Sequence, residues 1–185
     1  TDADGDTLTV NAVRLGQTEG SGTSGIVGSA LTGTYGQLTL NSDGSYDYVA
    51  NQSAADSLDK DDVAYDYFNY DVYDGSLTDT GVITIKIIGV NDTPTAVSDF
   101  GAVTEDSSIT IDNDESGNLS GSYDTHDEHS GDILSNDTDN DASPTHTVTA
   151  VRIGSTAGEG TAGTVGSALT GTYGQLTLNA NGSCT

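Results

Sequence analysis

The chain has 185 residues, of which 29 are acidic and 4 basic, giving a formal charge of −25. Nucleic acid and anionic membrane both repel such a polyanion, so neither is an expected partner. No apolar run approaches the ~20 residues that a bilayer-spanning helix needs, so membrane insertion is not expected either. Cys184 is the single cysteine, which excludes a disulfide within one chain. High charge with low hydrophobicity favours disorder, but here the apolar residues alternate in short runs, and nine tyrosines supply bulk for a core.

In chain order, Thr1–Asp6 reads TDADGD, with Asp2, Asp4 and Asp6 at alternate positions and Gly5 easing a bend. TLTVNAVRLG follows, with Leu8, Val10 and Ala12 alternating against polar neighbours, and is expected to be a strand. GQLTLNSDGSYDYVAN reads as a hairpin, with Leu38 and Leu40 outbound, NSDG turning, and Tyr46 and Tyr48 returning. SAADSLDKD, Ser53–Asp61, is the one place for a helical turn. YDYFNYDVYDG puts Phe68, Tyr70 and Val72 on one face and Tyr65, Tyr67 and Tyr73 on the other. In TGVITIKIIGV, Val82, Thr84, Lys86 and Ile88 oppose Ile83, Ile85 and Ile87. DFGAVTEDSSITID is expected to give two short strands around Glu105, and polar Asp112–Gly131 an inserted loop. Short strands between Gly, Asp and Asn turns point to an all-β fold, an antiparallel β-sandwich.

The chain also repeats itself. VGSALTGTYGQLTLN occurs at Val27–Asn41 and again at Val165–Asn179, an offset of 138 that also relates Val10 to Val148, Arg14 to Arg152 and Gly44 to Gly182. Tandem modules are the expected organisation. The boundary is placed near Gly89–Ala96, where Pro94 cannot donate to a ladder. Residues 1–91 are then the later part of one module and 92–185 the earlier part of the next, each expected to be incomplete. The first would lack counterparts of Ala96–Asn136 and the second counterparts of Tyr46–Val90. A chain of this design could lend Ala96–Ile111 to the first module of itself or of another copy, and head-to-tail lending would build a fibre.

Four motifs occur in a fixed order: GTYGQLTLNSDGSYDYVAN (Gly33–Asn51), FNYDVYDG (Phe68–Gly75), IKIIGVNDTP (Ile85–Pro94) and NDTDND (Asn136–Asp141). Together they resemble the VCBS-type, cadherin-like tandem repeats of large type I-secreted bacterial surface adhesins. That resemblance implies cadherin- or immunoglobulin-like sandwich modules, an extracellular or bacterial cell-surface setting, roles in adhesion and biofilm, and calcium as the bound ion. It also implies that Asp74, Asn91, Asp92 and Glu105 could meet at a module junction, with Asp137, Asp139 and Asp141 joining from the next module.

The residues themselves allow calcium at Asp2, Asp4 and Asp6, because the ion takes six to eight hard oxygen ligands and clustered aspartates supply them. Aspartate and asparagine also simply make turns, and isolated cases such as Asp43 read that way. Neither an EF-hand nor an RTX nonapeptide is present. Tyr65, Tyr67 and Tyr73 could stack on sugar rings, making a carbohydrate-binding module with polysaccharide as partner the alternative function; cross-strand packing is the competing account. His126 and His129 lie among carboxylates, but without a third His or Cys nearby they read as a solvated loop rather than a zinc site. No nucleophile–base–orienter constellation is found, so no enzyme is expected. The expected function is a calcium-stiffened spacer whose partners are neighbouring repeats.

Overall fold

The computed structural model describes residues 3, 5–101, 103, 105, 106, 108, 110 and 132–185. Among these residues it is all-β and antiparallel, apart from a single helical turn, α1 (Ser53–Asp56). Contacts divide the chain into two compact units, Thr1–Asp92 with Asn140–Ser143, and Thr93–Asp139 with Pro144–Thr185.

Unit 1 contains β1 (Thr9–Leu15), β2 (Thr23–Ser24), β3 (Ala30–Thr32), β4 (Gln37–Leu40), β5 (Tyr46–Val49), β6 (Val63–Tyr73) and β7 (Thr78–Ile88). They form two sheets, ordered β2-β1-β6-β7 and β3-β4-β5. One core joins them: Val10, Val13 and Phe68 from the first sheet meet Leu31, Leu38 and Leu40 from the second. Phe68 is wholly buried, and Tyr48 meets it edge-on with ring centroids 6.4 Å apart. The alternation expected in β7 is present, with Ile83, Ile85 and Ile87 turned inward and Val82, Thr84, Lys86 and Ile88 exposed.

β1 departs from the expected alternation. Its register against β6 shifts between Val10 and Ala12, and Val13 rather than Ala12 becomes the next buried residue. A bulge inserts one residue and reverses the phase of everything after it. The strands expected around Glu105 do not form among the described residues. Glu105 and Asp106 make a turn instead, because Asp106 takes a φ of 63°, which interrupts an extended run.

Unit 2 contains β8 (Arg152–Ile153), β9 (Thr161–Ala162), β10 (Ala168–Thr170) and β11 (Gln175–Thr177), paired as two two-stranded sheets. Its core is Val151, Leu178 and the buried Cys184 thiol, with Ile133, Val148, Val165 and Leu169 packed around them. The local construction copies unit 1. β3–β4 pairs Ala30, Leu31 and Thr32 with Thr39, Leu38 and Gln37, and β10–β11 pairs Ala168, Leu169 and Thr170 with Thr177, Leu176 and Gln175. The Gln37 amide donates to Thr32 Oγ1 at 3.1 Å, and the Gln175 amide to Thr170 Oγ1 at 3.1 Å. Gly22 and Gly160 both occupy positive φ, and a Cβ on either would sit 1.9 Å from the carbonyl oxygen of Leu15 or Ile153. Only glycine fits either turn.

Candidate functional site

Among the described residues, the most elaborate polar construction is centred on β6. Asp66 follows the inward parity of Ala64, Phe68 and Tyr70, and is 2 % exposed. Its carboxylate accepts the N–H groups of Thr34 (2.9 Å), Tyr35 (3.0 Å) and Gly36 (3.2 Å) and the Tyr48 hydroxyl (2.7 Å). Four donors converge on one buried carboxylate, which is how a buried charge becomes tolerable. Burial first, and then the hydrogen bond to Asp66, push the Tyr48 phenol well above its ordinary value.

On the other face of β6, Asn69 is fully buried by the β1–β2 loop. Its amide donates to the carbonyls of Gly16 (3.1 Å) and Ser21 (2.9 Å), and its carbonyl accepts Gly20 N–H at 3.1 Å. Asp71 takes a two-pronged contact from Arg14 at 2.9 and 2.8 Å, plus the Thr80 hydroxyl at 3.0 Å. The Arg14 guanidinium holds the Asp71 carboxyl below the usual carboxylate range. Alternation gave no role to Asp66 or Asn69. The signal for Asp66 was an acidic residue on the apolar face of a strand, which is stable only with dedicated donors.

Asp2 and Asp4 lie outside the described residues, as do His126 and His129, and Asp6 is exposed just before β1. Asp74 staples the β6–β7 turn, accepting Ser76 N–H and Leu77 N–H, each at 2.7 Å. These two backbone donors depress its carboxyl below the ordinary value, Leu77 contributing most. The expected meeting of Asp74 with Asn91 and Asp92 does not occur. Asn91 and Asp92 follow the far end of β7, an 11-residue strand away, which is about 35 Å at the rise of an antiparallel strand. The structure instead brings Asp92 to Asp141, whose Oδ2 accepts Asp92 N–H at 3.3 Å. Asn91 hydrogen-bonds through its own amide to the Asp92 carbonyl.

In unit 2, Asp137 accepts Val97 N–H at 2.8 Å, Asp139 is half-buried, and Glu105 is exposed in its turn. Thr95, just before the segment Ala96–Ile111 expected to be lent elsewhere, bridges to Thr138 within unit 2. Among the described residues, no three His, Cys, Asp or Glu side chains converge as a metal centre requires.

Tyr65 and Tyr67 stack with ring centroids 6.2 Å apart and planes inclined by 25°. Tyr65 is exposed. Tyr73 lies at the other end of β6 with its hydroxyl on the Gly75 carbonyl, so the three rings form a pair and a separate ring. No family model, curated protein or solved structure matches this chain.

Proposed function

We propose that the chain is a pair of repeat modules acting as a structural spacer of an extracellular bacterial adhesin or matrix protein, serving cell-surface adhesion or biofilm. The observation that carries the reading is the duplicate construction: two segments 138 residues apart in the sequence take the same register, the same turns and the same Gln–Thr bond. A sequence used twice to build one shape is a unit of length, which is what a spacer needs. The sequence resemblance to VCBS-type repeats supports the same reading, with β-sandwich modules secreted to the cell surface and stacked on neighbouring repeats.

Calcium is the proposed stiffening ion. A charge of −25 on 185 residues calls for counter-ions, and carboxylate oxygens are the ligands calcium selects. Asp2, Asp4 and Asp6 are the first proposed site. Asp92 and Asp141 would supply the second, where the Asp141 oxygen that accepts Asp92 N–H keeps a lone pair for an ion. Melting in millimolar calcium against melting in excess EDTA tests this. An ion that binds only the folded chain adds about 2.7 kcal/mol at a hundred times its Kd, so calcium should raise the midpoint by several degrees. Equal midpoints would overturn the calcium reading.

The stacking of exposed Tyr65 on half-buried Tyr67 favours a second reading, a carbohydrate-binding module. Retention on insoluble polysaccharide that is lost in Tyr65→Ala would favour it over a spacer, and no retention would remove it.

A further inference from the structure

One turn is built twice with a telling exchange of residue. In unit 1 it runs Asn41, Ser42, Asp43, Gly44, Ser45, and in unit 2 Asn179, Ala180, Asn181, Gly182, Ser183, so a carboxamide stands where the first copy has a carboxylate. Both copies close with the same main-chain bond, Gly44 N–H on the Asn41 carbonyl at 3.0 Å and Gly182 N–H on the Asn179 carbonyl at 3.1 Å. Both also hold the middle side chain alike. Asp43 Oδ1 accepts Ser45 N–H at 2.9 Å and the Ser45 hydroxyl at 2.6 Å, and Asn181 Oδ1 accepts Ser183 N–H at 3.3 Å and the Ser183 hydroxyl at 2.8 Å. In each copy the first asparagine, Asn41 or Asn179, donates its amide to the serine Oγ at 3.0 Å, which leaves the hydroxyl proton for the acceptor. Asp43 and Asn181 are both exposed, so the accessibility of Asn181 belongs to the turn as built in both copies.

Asn181 is the one asparagine in the sequence that is followed by glycine. The order matters because a backbone nitrogen can attack the side-chain amide that precedes it, and glycine has no Cβ to obstruct the approach. The hydrogen bond from Ser183 N–H closes a ring that contains both the attacking nitrogen of Gly182 and Cγ of Asn181. As the two join, negative charge develops on Asn181 Oδ1. Two donors already point at that oxygen, which is the arrangement that stabilises a tetrahedral intermediate of acyl transfer.

We propose that Asn181–Gly182 is a self-modifying site, at which the turn converts Asn181 to aspartate or isoaspartate while Ser183 holds the oxygen that takes the charge. The Gly182 nitrogen forms a bond to Asn181 Cγ, the Cγ–Nδ2 bond breaks, and Nδ2 leaves as ammonia with the proton that the Gly182 nitrogen gives up. Water then opens the cyclic imide at either of its carbonyls, and nothing is oxidised or reduced. Opening at Cγ gives aspartate, the residue of the first copy, whose shorter bonds to serine show that this turn takes a carboxylate. Opening at the main-chain carbonyl gives isoaspartate, which adds one atom to the backbone inside the turn that Gly182 N–H closes on Asn179. Loss of ammonia is confined to the second copy, since Asp43 carries no amide.

The test is incubation of the intact chain in warm, mildly alkaline buffer, followed by peptide mass mapping, isoaspartate detection and amide-resolved NMR. The peptide holding Asn181 should gain the mass of an amide-to-acid exchange before any other asparagine peptide does, with aspartate and isoaspartate both present. Ser183→Ala should slow the conversion about fivefold, the worth of one hydrogen bond to the developing charge. A serine that merely kept the turn shut would have the opposite effect, because its removal would free the side chain to react. Asn181→Asp, which reproduces the aspartate product, should keep the amide protection of the hairpin. No mass gain at Asn181, an earlier gain at another asparagine, conversion in Ser183→Ala as fast as in the unsubstituted chain or faster, or loss of the hairpin in Asn181→Asp would each overturn the proposal.

Discussion

Leu38 and Leu176 hold the same place in the same fifteen residues and in the same hairpin register, yet one is sealed in a core and the other is open to water. Units 1 and 2 therefore separate two things that a single domain would confound. Strand register and turn type come from the local sequence, since both copies build them alike. Burial in unit 1 comes with later strands, Tyr48 of β5 opposite Leu38 and Phe68 of β6 in the same core; among the described residues no strand pairs with β8 as β6 pairs with β1. β6 contributes more than apolar area, because its Asp66, Asn69 and Asp71 satisfy donors and acceptors displayed by the repeat.

The sharpest way to break this comparison is Asp66→Ala. It leaves three backbone N–H groups and the Tyr48 hydroxyl without their acceptor and should cost unit 1 about 4 kcal/mol. Amide exchange read unit by unit should show the loss in unit 1 and none in unit 2. Next comes the matched pair of leucines. Leu38→Ala should cost about 3 kcal/mol as a core truncation, and Leu176→Ala under about 1 kcal/mol because much of that side chain already meets water. Equal costs would mean that the two hairpins are equally buried in solution.

Gly33→Ala should destabilise by about 2 kcal/mol, since the new methyl group drives into Asp66. Gly171→Ala should stay within about 0.5 kcal/mol. The pH dependence is a smaller effect. Asp71 is depressed by Arg14, so its contribution is present above the unfolded carboxylate value near 4 and is lost as pH falls through the lower folded value. Tyr48 is raised by burial and by Asp66, so its contribution is present below about pH 10 and fades above it. Protection in unit 1 should therefore decline at both extremes, and Asp71→Asn should flatten the acid side. The Arg14–Asp71 contact is partly exposed, with side chains 20 % and 15 % accessible, so Arg14→Ala should have the smallest effect, shrinking further in high salt.

Much of the fold was legible because period-two alternation is a property of neighbours. β4, β5, β6 and β7 and their hairpin partners follow from Leu38/Leu40, Phe68/Tyr70 and Ile83/Ile85/Ile87. The bulge in β1 was not legible, since nothing in VNAV marks where one residue will be left unpaired. The acidic candidates were the least legible. Aspartate serves turns and ions with the same oxygens, and only placement shows that Asp74 and Asn91 stand at opposite ends of a long strand. Asp66 was passed over because its importance lies in donors 30 to 32 residues away, which no local pattern displays.

The separation between the Thr34–Gly36 loop and Asp66 has a consequence for how such a chain is made. A polypeptide that emerges amino-terminus first presents the β3–β4 hairpin while the carboxylate that will fasten it is still unsynthesised, since that carboxylate lies 30 to 32 residues behind. Closing a contact of that span demands loop entropy in advance of any reward. The β3–β4 hairpin can therefore be fastened by Asp66 only after the later strand has been synthesised.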